Sequence, residues 1–93
     1  MIALTHVPRR AERIAARVLD GKALIVVLDE KQLHTLNRVG TRVWELCDGR
    51  SVSAIAATLA TEYEIDADAA LADVQRFVAE LREKGALARE GSA

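Results

Sequence analysis

From residue 13 the chain alternates. Ile14, Ala16 and Val18 fall on one parity and Ala15, Arg17 and Leu19 on the other, which predicts a strand over residues 13–19. Asp20-Gly21 follows, two residues that tolerate positive φ, and predicts a tight hairpin. Next comes Ala23-Leu24-Ile25-Val26-Val27-Leu28, an unbroken apolar run rich in β-branched residues. It predicts a central strand buried on both faces or nearly so. Asp29-Glu30-Lys31 is a second polar turn, and Gln32-Leu33-His34-Thr35-Leu36 a short third strand.

Beyond Asn37 the period changes from two to between three and four. Asn37 is a good N-cap, because its side-chain oxygen can accept from a free backbone N–H of the first turn. It opens a helix over residues 38–47 with Val39, Val43, Leu46 and Cys47 on its apolar face and Trp44 beside them. Asp48-Gly49 ends it, with glycine available for the left-handed position. Ser51 caps a second helix, residues 52–63, whose inward face is Ile55, Leu59 and Tyr63. Asp66 caps a third, residues 67–84, with Leu71, Val74, Val78 and Leu81 inward, Phe77 adjoining and Gly85 as the stop. Residues 86–89 read as a short extended segment.

Three strands followed by three helices define an α+β class, not a βαβ layout. The two tight turns make an antiparallel meander with residues 23–28 in the middle. The helices resemble a helix-turn-helix core, so the whole is winged helix-turn-helix-like, a three-stranded antiparallel sheet followed by three helices. Residues 1–12, with Pro8 and Arg9-Arg10, read as an N-terminal arm, 13–89 as one domain and 90–93 as a loose tail.

Composition narrows the function. At 93 residues there is room for one domain. The net charge of −1 gives no basic face for phosphates, and the predicted third helix opens with Asp68 and Asp73 and no basic residue before Arg76. A DNA-reading helix would carry the opposite charge there, so a winged-helix transcription regulator is the weaker alternative and no nucleic-acid partner is expected. The single cysteine, Cys47, rules out an internal disulfide and fits a reducing cytoplasm. Neither a signal peptide nor a stretch long enough to span a membrane is read.

Catalytic signals are missing too. The sequence has no glycine-rich phosphate loop, HExxH or CxxC. Cys47 and His34 could in principle form a nucleophile–base pair. A free cysteine at a helix end is better read as a small core residue. His34, in an edge strand, reads as a surface or interface side chain and not as a ligand. No catalytic residues, metal site or cofactor are predicted, and the chain is read as no enzyme.

The sheet edges remain. Arg13 and Arg17 on the first strand discourage unwanted pairing, whereas residues 32–36 hold no charge and no proline. An extended peptide could add there as a fourth strand, held by main-chain hydrogen bonds and sorted by side-chain pockets. The pattern equally allows this edge to be covered by the arm or by a second copy, so the oligomeric expectation is a monomer or weak homodimer.

Several segments carry a resemblance: Val18-Leu19-Asp20-Gly21, Val27-Leu28-Asp29, His34-Thr35-Leu36-Asn37, Gly40, Val43-Trp44-Glu45-Leu46-Cys47-Asp48-Gly49, then Ser51-Val52, and Asp73-Val74 with Phe77-Val78, Leu81 and Gly85-Ala86-Leu87. In this order they resemble PqqD-like proteins over residues 8–89. The segment 26–30 is closer to the broad stand-alone group than to the chaperone of pyrroloquinoline quinone biosynthesis. The resemblance implies a RiPP recognition element, a peptide chaperone that binds the leader of a ribosomally made precursor peptide. It also implies presentation to a separate radical SAM enzyme or other peptide-modifying enzyme, lasso-peptide leader peptidases among them. In the family the leader adds antiparallel to the third strand beside the third helix. That implies Gln32, Leu33, His34, Thr35 and Leu36 from the strand and Asp73, Arg76, Phe77, Glu80, Leu81 and Lys84 from the helix as peptide-binding candidates. The charges at 73, 76, 80 and 84 also suit ion pairs on a solvated helix face, and Phe77 and Leu81 also suit the core. Trp44, Asp48 and Gly49 read as structural.

Overall fold

The computed structural model describes residues 2–88. The elements run β1 (Ile14–Leu19), β2 (Lys22–Val27), β3 (Gln32–Thr35), α1 (Arg38–Glu45), α2 (Val52–Tyr63) and α3 (Ala67–Glu83). The strands form one antiparallel sheet in the order β1-β2-β3. This is the α+β arrangement expected, for which "winged" is a loose description.

Local chemistry sets the breaks. Asp20 and Gly21 both take positive φ, 55° and 75°, which turns β1 into β2 across two residues. Lys31, at φ 54°, closes the second turn, and its N–H donates to the Leu28 carbonyl at 3.3 Å. All three predicted N-caps form: Asn37 Oδ1 accepts from the Gly40 N–H at 2.7 Å, Ser51 Oγ from Ala54 at 3.2 Å, and Asp66 Oδ2 from Asp68 at 3.0 Å. Each gives a partner to an N–H that the helix leaves free. Gly85, at φ 83°, follows α3.

The helices pack on one face of the sheet. Ile25 on β2 is fully buried against a cluster that includes Val43, Val52, Ile55, Leu59, Val74 and Val78, also at 0 % exposure. Burial on this scale stabilises by roughly 1.5–3 kcal/mol per large aliphatic side chain.

Three expectations need correcting. β2 is buried on one face only: Ala23, Ile25 and Val27 face the core, Leu24 and Val26 are half-buried, and Leu28 is 46 % exposed. All three helices follow β3 through short links and gather on one side, leaving the other side open. Tyr63 does not face inward but is 40 % exposed at the last turn of α2, where the helix has run past the core. α1 stops at Glu45, although Leu46 and Cys47 are buried as expected, because the chain tightens into turns as far as Gly49.

The N-terminal arm is bonded to the helical layer. The His6 and Leu4 carbonyls accept from the Val52 and Ser53 N–H groups at 2.8 and 3.0 Å, at the start of α2. Arg10 pairs with Leu87, and Pro8 is buried. Leu87 is thus the extended part of the segment predicted at 86–89. Arg89 and the tail predicted at 90–93 lie outside the described residues.

Candidate functional site

β3 is an edge strand. The arm directs its backbone bonds to α2 and to residues 86–88, and among the described residues no strand pairs with the outer side of β3. Register shows which groups are free. The Leu36 N–H donates to the Ala23 carbonyl at 2.9 Å, one step beyond the pair Leu24–Thr35. Hydrogen-bonded and non-hydrogen-bonded pairs alternate in an antiparallel ladder. Gln32 and His34 therefore direct their backbone groups to β2, while Leu33 and Thr35 direct theirs to the open edge. By the same rule the Leu28 N–H, which donates to Arg13 at 3.0 Å, leaves Ile14, Ala16 and Val18 with the outward groups of β1.

The ladder ends at a single side chain. The Ala23 N–H donates to Thr41 Oγ1 at 2.8 Å, and the Thr41 hydroxyl donates to the Leu36 carbonyl at 3.4 Å. Thr41 thus takes the place of a next strand residue while the chain turns into α1. Sequence reasoning missed it, since a threonine in a helix gives no sign of such a task.

Side chains on β3 alternate about the sheet. Gln32 and His34 lie opposite Val27 and Ile25, on the face that meets the helices; Leu33 and Thr35 lie opposite Val26 and Leu24, on the open face. Leu33 is 61 % exposed. Leu36 continues the inward parity and is buried in the core, so of the five strand candidates it presents no side chain to a peptide.

α3 passes beside this edge. At one end a Cβ on Gly40 of α1 would stand 2.9 Å from Phe77 Cε1; at the other, a Cβ on Gly85 would stand 3.3 Å from Val27 Cγ1. Gly40 lies in the helix that follows β3, and Val27 pairs with Gln32 at the start of β3. The helix buries Ala70, Val74, Val78 and Leu81. Asp73, Phe77, Glu80 and Lys84 follow at i, i+4, i+7 and i+11 on one flank of that stripe, the flank that meets Gly40. Arg76 lies further round, exposed, with its guanidinium 3.4 Å from Asp73 Oδ1 and 5.3 Å from the centre of the Phe77 ring. Leu81, at 1 % exposure, is core and not groove wall. Phe77 is half-buried and serves both core and flank.

Cys47 is buried, donates to the Val43 carbonyl at 3.2 Å, and its thiol is pushed up to about 12, chiefly by burial and against the pull of Arg10. Such a thiol is a packing group and not a nucleophile at neutral pH. Among the described residues no three His, Cys, Asp or Glu side chains gather as a metal site would need, and no helix is long and apolar enough to cross a membrane.

A three-stranded antiparallel sheet with β3 at one edge, followed by three helices, is the fold of RiPP recognition elements. The chain superposes with a TM-score of 0.81 on TbiB1 solved with the TbiA(beta) leader peptide, at 24 % identity over 91 % of this chain and 98 % of that one. Lasso peptide synthetase B1 with its leader peptide gives 0.81, 23 % identity, 89 % and 99 %. The solution structure of the PqqD part of Methylobacterium extorquens PqqCD, a functional stand-alone RiPP recognition element, gives 0.78, 27 % identity and 96 % of both chains. The chain belongs to the PqqD family: the family profile for coenzyme PQQ synthesis protein D matches residues 25–87. No curated protein sequence matches it.

Proposed function

We propose that this chain binds the leader segment of a ribosomally synthesised precursor peptide as a fourth, antiparallel strand on β3. It holds that leader for a separate modifying enzyme, such as a radical SAM maturase, and itself catalyses no step. The observation that carries the reading is the free edge of β3, with the backbone groups of Leu33 and Thr35 turned outward next to the flank of Phe77, Glu80 and Lys84. Gln32 and His34 supply the inward side chains, and Asp73 and Arg76 lie where a longer peptide would continue along α3. Relatives of this fold were solved with leader peptides in place, which supports the same use here. The open face of the sheet leaves an approach for the enzyme while the edge is occupied. On this reading the protein works in the cytoplasm as a monomer or weak homodimer.

Two proline substitutions test the reading. Leu33→Pro removes an outward N–H from β3, and Ala16→Pro removes one from β1; both lie on edges, where proline is tolerated. Titrating each variant with the leader of a precursor peptide encoded beside its gene should show about tenfold weaker binding for Leu33→Pro, the order of one lost hydrogen bond plus strand distortion. Ala16→Pro should bind as the parent does. Equal losses in both variants, or none in either, would remove β3 as the site.

A further inference from the structure

His34 carries a feature that the fold itself does not use. Its register opposite Ile25 puts the imidazole on the helix side of the edge strand, in line with Gln32. Its Nε2 is closed off from solvent and has no hydrogen-bond partner, the one buried side-chain nitrogen or oxygen in that state among the described residues. In either neutral tautomer that nitrogen needs a donor or an acceptor, and a buried polar atom without one carries the full cost of its lost water.

The geometry of strand addition supplies the partner. Because the backbone groups of His34 face β2, the peptide residue across from it would form a non-hydrogen-bonded pair. In such pairs the side chains of the two strands are closest and share one face of the sheet. The peptide residue at that place therefore directs its side chain into the groove beside the imidazole, with the flank of Phe77, Glu80 and Lys84 behind it.

We propose that His34 is a specificity-determining residue: as the peptide seats, the imidazole turns to bring Nε2 to the groove, where a hydroxyl, amide or carboxylate of the paired peptide residue completes it, so the bound segment carries a hydrogen-bonding side chain at that one place. The inference rests on strand addition at β3, and its test separates the two.

The probe is a positional-scanning set of short acetylated peptides on an alternating apolar–polar frame, titrated into the ¹⁵N-labelled protein. Shifts of the Leu33 and Thr35 amides report strand addition; the His34 imidazole nitrogens report the side-chain contact. One peptide position should prefer Thr, Asn or Glu over Leu by about tenfold, the scale of one buried hydrogen bond, and its ligands should move the Nε2 resonance. His34→Phe should fold with at least the stability of the parent and lose that preference, while His34→Gln keeps it. Peptides that shift Leu33 and Thr35 with no preference at any position, and bind His34→Phe equally, would overturn the role of His34 and leave strand addition standing. If no peptide moves either amide, strand addition fails and the inference with it.

Discussion

Thr41 shows how much of the edge depends on one hydroxyl. It is buried to 2 % exposure and bridges the Ala23 N–H and the Leu36 carbonyl, the last groups of the β2–β3 ladder. Thr41→Val keeps the volume but leaves the N–H of Ala23, a fully buried residue, without an acceptor. Unsatisfied buried groups cost about 1–3 kcal/mol, so the urea midpoint should fall by that equivalent at unchanged slope. Thr41→Ser should recover most of the loss. A Thr41→Val protein as stable as the parent would mean that the ladder finds another cap. Arg10 does comparable work at the end of α1, donating to the Trp44 and Glu45 carbonyls at 3.0 and 3.1 Å while its guanidinium lies 5.0 Å from the centre of the Trp44 indole. The arm is thereby fastened to the helix that carries Thr41.

At the scale of elements, the joint between α1 and α3 positions the groove flank. A glycine in the first turn of a helix costs stability, and Gly→Ala in a helix ordinarily gains about 0.5–1 kcal/mol. At Gly40 the new methyl would meet Phe77 Cε1 at 2.9 Å. Overpacking of this kind costs about 1–3 kcal/mol, so the clash should win and Gly40→Ala should lower stability by about 1 kcal/mol. In a Phe77→Leu background the same change should be neutral or stabilising, and a double-mutant cycle of unfolding free energies measures the coupling. Additivity would show that Phe77 moves aside freely. Element boundaries were legible because each break has a local chemical cause: Asp20-Gly21 for the hairpin, Asn37, Ser51 and Asp66 for the helix starts, Gly85 for the last stop. What stayed illegible depends on partners distant in sequence. An apolar run does not say whether one or two faces of β2 are covered, and the helical period of α3 does not separate core stripe from flank until Gly40 and Gly85 fix its rotation. Leu36 and Leu81 illustrate the loss: by sequence both are peptide-binding candidates, and both are core. The unpaired nitrogen of His34 had no sequence signal, since the burial of one ring atom is set by the packed fold.

The whole molecule is a one-sided sandwich. Among the described residues, helices and arm close one face of the sheet, and two edges and the second face stay open. An ion pair in which Arg42 Nε and Nη2 each lie 2.7 Å from a Glu62 carboxylate oxygen ties α1 to α2 on the solvent side and holds Glu62 below the usual carboxylate range. That contribution is present at neutral pH and lost as pH falls through the lowered value; at so exposed a site it is small. The two edges differ in what borders them. β1 carries Arg17 and is preceded by Arg13, paired with Asp29 at 2.6 Å, whereas β3 carries no charge and adjoins the flank of α3. The account stands on the claim that this second edge takes a peptide as a fourth strand. Amide hydrogen exchange, residue by residue, with and without the cognate leader tests it most directly. The free protein should protect Gln32 and His34 and leave Leu33 and Thr35 fast; the leader should slow Leu33 and Thr35 selectively, in a period of two, with β1 unchanged. Protection gained at Ile14, Ala16 and Val18 instead, or none at Leu33 and Thr35 under saturating leader, would contradict it.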